Sequence, residues 1–163
     1  MVQVAADIMT REVATASPRW TLAELERVLC EKKVNGFPVV EGRTLVGVVS
    51  RFDIIRKLSV ERSRAGEISD YFRRYDADED AVLKSFLAEE QSVAVRLSAE
   101  RVSDVMSPPT FVAPPDMAIR DVAALLFEHR IHRVPVVDEG RELVGIISSL
   151  DIVGLVAKGA QVA

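Results

Sequence analysis

Leu45-Val46-Gly47-Val48-Val49-Ser50-Arg51-Phe52-Asp53-Ile54 returns near the end of the chain as Leu143-Val144-Gly145-Ile146-Ile147-Ser148-Ser149-Leu150-Asp151-Ile152. Pro38-Val39-Val40 precedes the first copy, and Pro135-Val136-Val137 precedes the second. The offset changes from 97 to 98 residues between these runs, which places a one-residue insertion near Asp138. Each copy joins a hydrophobic strand to Ser-x-x-Asp. The sequence therefore predicts a duplicated structural unit with a duplicated site.

The repeat begins well before these strands. Asp7-Ile8-Met9-Thr10 matches Asp104-Val105-Met106-Ser107, and Pro18 matches Pro115. Solenoid proteins repeat every 20–50 residues or so, roughly half the period found here or less. The pattern therefore predicts two similar halves that face each other.

Composition and charge are those of a soluble globular protein. Of the 163 residues, 48% are hydrophobic and 28% are charged, which are ordinary values for a folded domain. The formal net charge is −4. This charge argues against binding to nucleic acid, because such binding needs a basic face that neutralises phosphates. A local basic cleft remains compatible with it.

The sequence also predicts a cytoplasmic protein with no membrane contact. No apolar run approaches the ~20 residues needed to cross a bilayer. The segment Met1–Asp7 has neither the cationic nor the apolar part of a signal peptide. Cys30 is the single cysteine, which excludes an internal disulfide. Its helical context favours a small core residue over a reactive thiol.

The first half has the pattern β-α-β-β-α. We predict a strand at Val13–Thr15 and a helix that begins with the capping box Thr21–Glu24. Gly36 is available to stop that helix. Two strands follow around the hairpin turn Glu41–Arg43, and another helix begins at Ser50.

The second half repeats this order. We predict a strand at Thr110–Val112, a helix through Ile119–Leu126, two strands around Glu139–Arg141, and a last helix from Ser148. Each half would then be a three-stranded sheet covered by two helices. Such a small sheet leaves an apolar face uncovered, so the two halves should pack against each other in an α+β fold.

Residues 58–101 separate repeat 1 (residues 1–57) from repeat 2 (residues 102–163) and have no counterpart in either repeat. We predict one or two helices here, interrupted by the acidic run Asp76–Asp80. Oxygen ligands of this kind suit Ca²⁺ or Mg²⁺. The run lacks the glycine and the distal glutamate of an EF-hand loop, so a solvated helix start is favoured and no metal site is predicted. Three aromatic side chains are candidates for a dimer or partner surface, with core packing favoured for each: Tyr71, Phe72 and Phe86.

The sequence gives little support for catalysis. It contains no Gly-x-Ser-x-Gly, no phosphate-binding P-loop and no His-Glu-x-x-His. His129 and His132, with Cys30, form no metal-ligand spacing that we recognise. We therefore predict that the chain is not an enzyme.

Ser50-x-x-Asp53 and Ser148-x-x-Asp151 are the strongest candidates for a site. One interpretation is structural, because serine followed by aspartate at a strand-to-helix junction caps the helix. The other interpretation is functional, because a hydroxyl, free N–H groups and a carboxylate meet at a helix N-terminus. A carboxylate accepts both hydroxyls of a ribose, and a helix start suits a phosphate. The residues alone leave both interpretations open.

Cations are distributed unequally between the halves. His132-Arg133 precedes a strand of the second half, where the two side chains suit either a phosphate or the carbonyl end of a helix. Asn35-Gly36 stands at the matching place and is uncharged. If both halves bind a ligand, we expect one site to bind phosphate more strongly than the other.

The full series of motifs, in register twice, resembles a pair of CBS domains, known as a Bateman module. The resemblance covers roughly residues 4–57 and 101–157. It implies two β-α-β-β-α repeats packed sheet to sheet with pseudo-twofold symmetry, and often a disc-like homodimer. It also implies two clefts that bind an adenosine ligand, with AMP, ADP, ATP, NAD and S-adenosylmethionine as candidates and no other cofactor required.

The resemblance assigns nucleotide-binding roles by position. The ribose-binding set, at the strand-to-helix junctions, is Ser50, Asp53, Ser148 and Asp151. The phosphate-binding set, similar in part to the gamma subunit of AMP-activated kinase, is Arg51, His132 and Arg133. The adenine would lie against Asn35, Gly36 and Phe37 and against the start of the opposite repeat, around Ile8-Met9 or Val105-Met106. The sequence departs from the family pattern at two places: Asn35-Gly36 is uncharged, and Ser149-Leu150 has no cation comparable to Arg51.

The long insert also resembles the stand-alone CBS-pair proteins of plant organelles, which are regarded as adenylate-responsive regulators. The sequence therefore predicts a homodimeric regulatory module that binds an adenine nucleotide and modulates a partner protein. The alternative is a ligand-independent structural dimerisation module, in which Ser-x-x-Asp is only a helix cap.

Overall fold

A computed structural model describes residues 4–64, 95 and 97–159 of the chain. Most of the insert lies outside the described residues, including Tyr71, Phe72, Phe86 and the acidic run Asp76–Asp80. Within the described ranges, no helix combines the length and the apolar character that a membrane crossing requires.

Repeat 1 contains three helices and one β-hairpin. In chain order the elements are α1 (Ala5–Ile8), α2 (Leu22–Lys32), β1 (Gly36–Glu41), β2 (Thr44–Ser50) and α3 (Arg51–Arg64). The predicted capping box forms at the start of α2, where the Glu24 N–H donates to Thr21 Oγ1 at 3.2 Å and the Thr21 N–H donates to the Glu24 carboxylate at 2.8 Å. One face of α2 is apolar and buried, and it consists of Leu22, Leu25 and Leu29.

Repeat 2 follows the same order. After a 3₁₀ turn (Val102–Asp104) come α4 (Ile119–Glu128), β3 (Arg133–Val137), β4 (Leu143–Ser148) and α5 (Ser149–Ala157). The tandem repeats and the predicted α+β class are therefore confirmed.

Each repeat contributes one small sheet of two antiparallel strands, β1–β2 and β3–β4. In the second sheet Arg133 lies opposite Ser148 and Val136 opposite Gly145, but a bulge then brings Val137 opposite Leu143. The turn of the first hairpin has two residues, whereas five residues connect β3 to β4. The single inserted residue that the sequence indicated near Asp138 falls in this longer connection.

The predicted third strand of each sheet is wrong. Neither Val13–Thr15 nor Thr110–Val112 forms a strand. Instead, Ala113 makes a single parallel bridge to β3, where its N–H donates to the Pro135 carbonyl and its carbonyl accepts from the Val137 N–H, both at 3.0 Å. Prolines before and after this segment explain the short pairing, because proline has no N–H to donate and restricts its neighbour.

The predicted helix stop at Gly36 is also wrong, since Gly36 is the first residue of β1. Helix α2 ends instead at Lys33, which has a left-handed backbone with a φ of 53°. The following Val34 N–H donates to the Leu29 carbonyl at 3.1 Å. Arg130 ends α4 in the same way, also with a φ of 53°. Both helices therefore end in a left-handed cap on a residue other than glycine.

The chain folds into two compact units, and each unit draws on both repeats. Unit A comprises Ala16–Phe37 and Val48–Ser107. Unit B comprises Met1–Thr15, Pro38–Gly47 and Pro108–Ala163.

The repeated Asp-x-Met motifs explain this exchange. In unit B, Thr10 pairs with Ile146 of β4 through hydrogen bonds of 2.9 and 3.0 Å. In unit A, Ser107 pairs in the same way with Val48 of β2, through two hydrogen bonds of 2.9 Å. The segment at the start of each repeat therefore pairs with the second strand of the other repeat.

A buried apolar core holds unit B together. Residues from the N-terminal segment, the bridge before α4, α4, β3 and β4 form this cluster: Ala5, Met9, Ala113, Val122, Leu126, Val134, Val136 and Ile147. A Cβ added at Gly145 would collide with the Met9 side chain. A side chain at position 145 would therefore force the Met9 side chain to move.

Candidate functional site

The first candidate site lies in unit A, where β2 passes into α3. Ser50 donates two hydrogen bonds to Asp53 Oδ2, one from its backbone N–H at 2.8 Å and one from its hydroxyl at 2.7 Å. The Asp53 side chain is 14% exposed, and its other oxygen, Oδ1, accepts a hydrogen bond from Arg56 at 3.2 Å. We call this group of three residues the first-repeat site.

The second candidate site lies in unit B, where β4 passes into α5. Ser148 donates from its N–H and its hydroxyl to Asp151 Oδ2, both at 2.7 Å. The Asp151 N–H donates back to Ser148 Oγ at 3.3 Å, which completes a capping box. We call Ser148 and Asp151 the second-repeat site. Both predicted Ser–Asp pairs are thus formed, and both make the hydrogen bonds of a helix cap.

The segment before each hairpin is tied to the first turn of the following helix. The Asn35 carbonyl accepts from the Arg51 N–H at 2.8 Å, and the His132 carbonyl accepts from the Ser149 N–H at 3.0 Å. The predicted adenine segment and the first-repeat site are therefore neighbours in unit A. His132 and the second-repeat site are neighbours in unit B.

The predicted phosphate ligand Arg51 makes a contact that the sequence analysis missed. Its Nη2 donates to Cys30 Sγ at 3.4 Å, and its Nε is buried with no hydrogen-bond partner among the described residues. The spacing of 21 residues gives no local signal for this contact, because it depends on how α2 packs against α3.

Cys30 is exposed, so the expectation of a core residue is wrong. It follows the buried Leu29 and lies outside the apolar face of α2. Its thiol donates to Glu26 Oε1 at 3.1 Å. This hydrogen bond raises the pKa of Cys30 above its ordinary value, with a smaller contribution from desolvation. The raised pKa favours the unreactive thiol over the thiolate.

Gly36 and Arg133 occupy matching positions in the two repeats, but only the position of Arg133 has space for a side chain. A Cβ added at Gly36 would lie 2.7 Å from the Val49 carbonyl oxygen. Strands β1 and β2 are therefore too close at this point for a side chain on residue 36. Arg133, at the matching place in β3, is exposed and lies opposite Ser148. Phe37 is 4% exposed, and its ring packs in the interior rather than at an open surface.

An apolar groove runs between α4 and α5 in unit B. Its volume is about 710 Å³, and its lining includes Phe127, His132, Ser149 and Val153 but neither Asp151 nor Arg133. Of the predicted site residues, His132 alone borders this groove. The other histidine, His129, stacks on Phe111 with ring centroids 4.1 Å apart.

Arg56 is a second residue that the sequence analysis missed. It lies three residues after Asp53 on α3, a spacing that brings side chains together on a helix, so the i,i+3 pattern was a usable signal. Gly154 occupies the matching position after Asp151. Within the described part of the chain, no group of three or more His, Cys, Asp or Glu side chains is placed to hold a metal ion.

The sequence profile of the CBS domain matches residues 4–60 and 102–158. The chain belongs to the CBS domain family. Among curated relatives of this CBS pair, the chloroplastic protein CBSX1 of Arabidopsis thaliana is 31% identical over 155 residues. The match covers 93% of this chain and 63% of CBSX1, so this CBS pair spans less than two thirds of that relative.

Solved structures of CBS pairs share the fold. The structure of Arabidopsis thaliana CBSX2 in complex with AMP is 26% identical, with a TM-score of 0.65, and the match covers 95% of this chain and 96% of that one. The CBS domain pair of protein MJ0100, in complex with 5′-methylthioadenosine and S-adenosyl-L-methionine, has a TM-score of 0.67 over 98% of this chain and 99% of that one. Its identity of 21% shows the fold alone.

Proposed function

We propose that this CBS pair is a regulatory module that binds an adenine nucleotide and passes its binding state to a partner protein. The observation that carries the proposal is the same Ser–Asp arrangement at a helix start in both units, with one aspartate oxygen left outside the cap. The complex of CBSX2 with AMP supports the choice of ligand, because the match to CBSX2 covers nearly the whole chain.

The residues at each junction have separate roles in this proposal. The outer oxygens of Asp53 and Asp151 accept the ribose hydroxyls, since a carboxylate is an acceptor for several hydrogen bonds. The N–H groups at the starts of α3 and α5 contribute positive charge toward the phosphate. Arg133 adds a cation and His132 a polar ring beside the second-repeat site, and Arg51 adds a cation beside the first.

Regulation requires that the ligand bind two arrangements of the module with different affinities. A ligand with equal affinity for both would leave their populations unchanged. We assign no catalytic step and no required cofactor to the chain, and AMP, ADP, ATP, NAD and S-adenosylmethionine remain the candidate ligands. A cytoplasmic location and the absence of nucleic-acid and membrane partners are part of the same proposal.

A homodimer is also part of the proposal. Four large apolar side chains on α4 and α5 are exposed: Phe127, Leu150, Val153 and Val156. Exposed apolar surface of this kind typically marks a protein interface. We expect light scattering to give about twice the chain mass of 18.0 kDa. Val153→Glu should reduce it to one chain, whereas Thr110→Glu, exposed and outside both helices, should not.

The alternative is a structural dimerisation module that binds no ligand. The observation that favours it is the cap itself, because Ser50 and Ser148 each already donate two hydrogen bonds to the aspartate three residues later. A cap explains the residue types without any nucleotide.

Calorimetric titration with the five candidate ligands separates these functions, and asparagine variants sharpen the test. In Asp53→Asn and Asp151→Asn the amide oxygen replaces Oδ2 in the cap, while the amide nitrogen replaces Oδ1. Such variants keep the cap and remove the charged acceptor for ribose. Asp→Ala variants at the same positions remove both and serve as the comparison.

We expect wild-type protein to bind at least one ligand, and each asparagine variant to lose roughly tenfold or more in affinity at its site, as for a hydrogen bond to a charged group. Unfolding midpoints of the asparagine variants should stay near that of wild type. If none of the five ligands binds, the nucleotide proposal is wrong and the structural module stands.

A further inference from the structure

We propose that Arg56 weakens ribose binding at the first-repeat site, and that Gly154 leaves the second-repeat site open to it. This inference rests on the proposed function and concerns the same two sites. It makes the residue three positions after the aspartate a determinant of which site binds a nucleoside more tightly.

The two sites have nearly identical caps. In each, one carboxylate oxygen accepts two hydrogen bonds from the preceding serine, with all four distances between 2.7 and 2.8 Å. A carboxylate oxygen accepts about two hydrogen bonds, so Oδ2 is saturated in both sites. Oδ1 is therefore the oxygen that remains for a ribose.

The sites differ at Oδ1. Asp53 Oδ1 already accepts from Arg56 Nη2 at 3.2 Å, which leaves about one acceptor position for the two hydroxyls of a ribose. Asp151 Oδ1 accepts no hydrogen bond from any residue in the described ranges. Both of its acceptor positions are open to a ribose diol.

The residue at the matching position explains this difference. Gly154 has no side chain, and a Cβ added there would meet nothing within 4 Å. An arginine at position 154 would thus have room to reach Asp151, three residues earlier on the same helix. The substitution can be made in either direction, which allows a reciprocal test.

A competing role for Arg56 predicts the opposite change in AMP affinity when Arg56 is removed. If Arg56 leaves Asp53 and binds the phosphate, its removal weakens AMP binding and leaves adenosine binding unchanged. If it blocks the ribose, its removal strengthens binding of both ligands by a similar factor. The loss of a positive charge by itself would weaken binding of the anionic AMP. An increase in AMP affinity therefore has no simple electrostatic explanation.

The test measures one site at a time by calorimetry. In the Asp151→Asn protein the first-repeat site alone keeps its carboxylate. In this background, a variant that also carries Arg56→Ala is compared with the protein that retains Arg56. In the Asp53→Asn protein the second-repeat site alone keeps its carboxylate, and Gly154→Arg is compared with Gly154→Ala, which controls for helix propensity. The probes are AMP, adenosine, and 2′,3′-dideoxyadenosine as the ligand without the diol.

We expect Arg56→Ala to strengthen AMP and adenosine binding by roughly 1.5-fold to fivefold, the effect of removing one partly exposed ion pair. We expect Gly154→Arg to weaken both by a similar factor. Neither change should alter the affinity for dideoxyadenosine. If the Asp151→Asn protein binds no probe, recovery of AMP binding by Arg56→Ala supports the inference and lack of recovery overturns it.

The remaining outcomes are also decisive. Unchanged or weakened AMP binding in Arg56→Ala overturns the inference and leaves the proposed function standing. Binding of none of the probes by wild-type protein overturns both. Circular dichroism of every variant confirms that the helices are retained, so that a loss of fold is not mistaken for a loss of contact.

Discussion

Gly36 illustrates how a single residue constrains the candidate site. Its position allows no Cβ, because the Val49 carbonyl oxygen would lie 2.7 Å from it and belongs to rigid backbone. We expect Gly36→Ala to lower the free energy of unfolding by about 1–3 kcal/mol, as for overpacking elsewhere. Gly154→Ala is the matched control: it has open space in a helix, so it should add roughly 0.5–1 kcal/mol. Urea denaturation measures both, and equal effects would contradict the packing argument.

Residue types at the site were predictable, whereas the partners of long side chains were not. The Ser–Asp pairs follow from a local rule that links residues three apart at a helix start. The contact of Arg51 with Cys30 depends on the packing of two helices, which no local rule gives. The sequence showed that Gly36 is uncharged. It did not show that a side chain is excluded there, because the neighbouring strand causes this exclusion.

At the scale of elements, the helices were predictable and the ends of elements less so. The spacing of Leu22, Leu25 and Leu29 fixes one buried face of α2. In the second repeat the first strand fails because prolines on both sides of Ala113 remove donors, so that pairing falls to the single bridge there. The end of α2 at Lys33 was missed because a left-handed lysine carries no signal comparable to glycine.

The left-handed end of α2 leads to a prediction about its stability. Lys33 has a φ of 53°, a conformation that costs a residue with a Cβ about 1–2 kcal/mol. We expect Lys33→Gly to relieve this strain and to raise the free energy of unfolding by roughly 0.5 kcal/mol, since glycine also loses more backbone entropy on folding. Lys32→Gly, at the last residue of the helix, should instead lower it, by up to about 1 kcal/mol. A loss of stability in Lys33→Gly would refute the prediction.

The capping box of α2 makes the stability of the protein depend on pH. The hydrogen bonds from Thr21, the backbone bond foremost, hold the pKa of Glu24 below its ordinary value of 4.5. A carboxyl group with a lowered pKa in the folded state stabilises the protein above its unfolded pKa, and this contribution is lost as the pH falls through the folded pKa. We expect Glu24→Gln to be less stable than wild type at pH 7, with the difference shrinking below about pH 4.5. Urea denaturation at pH 7 and pH 3 measures the difference in the free energy of unfolding between the two proteins. An equal difference at both pH values would contradict the prediction.

At the scale of the whole molecule, each compact unit is assembled from segments that are far apart in the chain. The resemblance placed the repeated Asp-x-Met motif beside the site of the opposite repeat, but the strand pairing that follows the motif was not predicted. A duplicated sequence is compatible with two self-contained halves, and the bridges from Thr10 to Ile146 and from Ser107 to Val48 show the opposite arrangement. Pairings of such large separation have no local pattern, so their partners were beyond sequence reasoning.

This exchange predicts that the two parts of the chain fold together when they are made as separate polypeptides. Residues 1–64 contribute the segment around Ala5 and Met9 to the buried core of unit B, and residues 95–163 contribute Val102 and Val105 to the buried residues of unit A. Each part alone would expose apolar surface that the other part covers. We expect the two parts, co-expressed with an affinity tag on one, to purify together and to unfold cooperatively. The part 95–163 expressed alone should show no cooperative unfolding. A cooperative transition in that part alone would mean that the N-terminal segment contributes little to the stability of unit B.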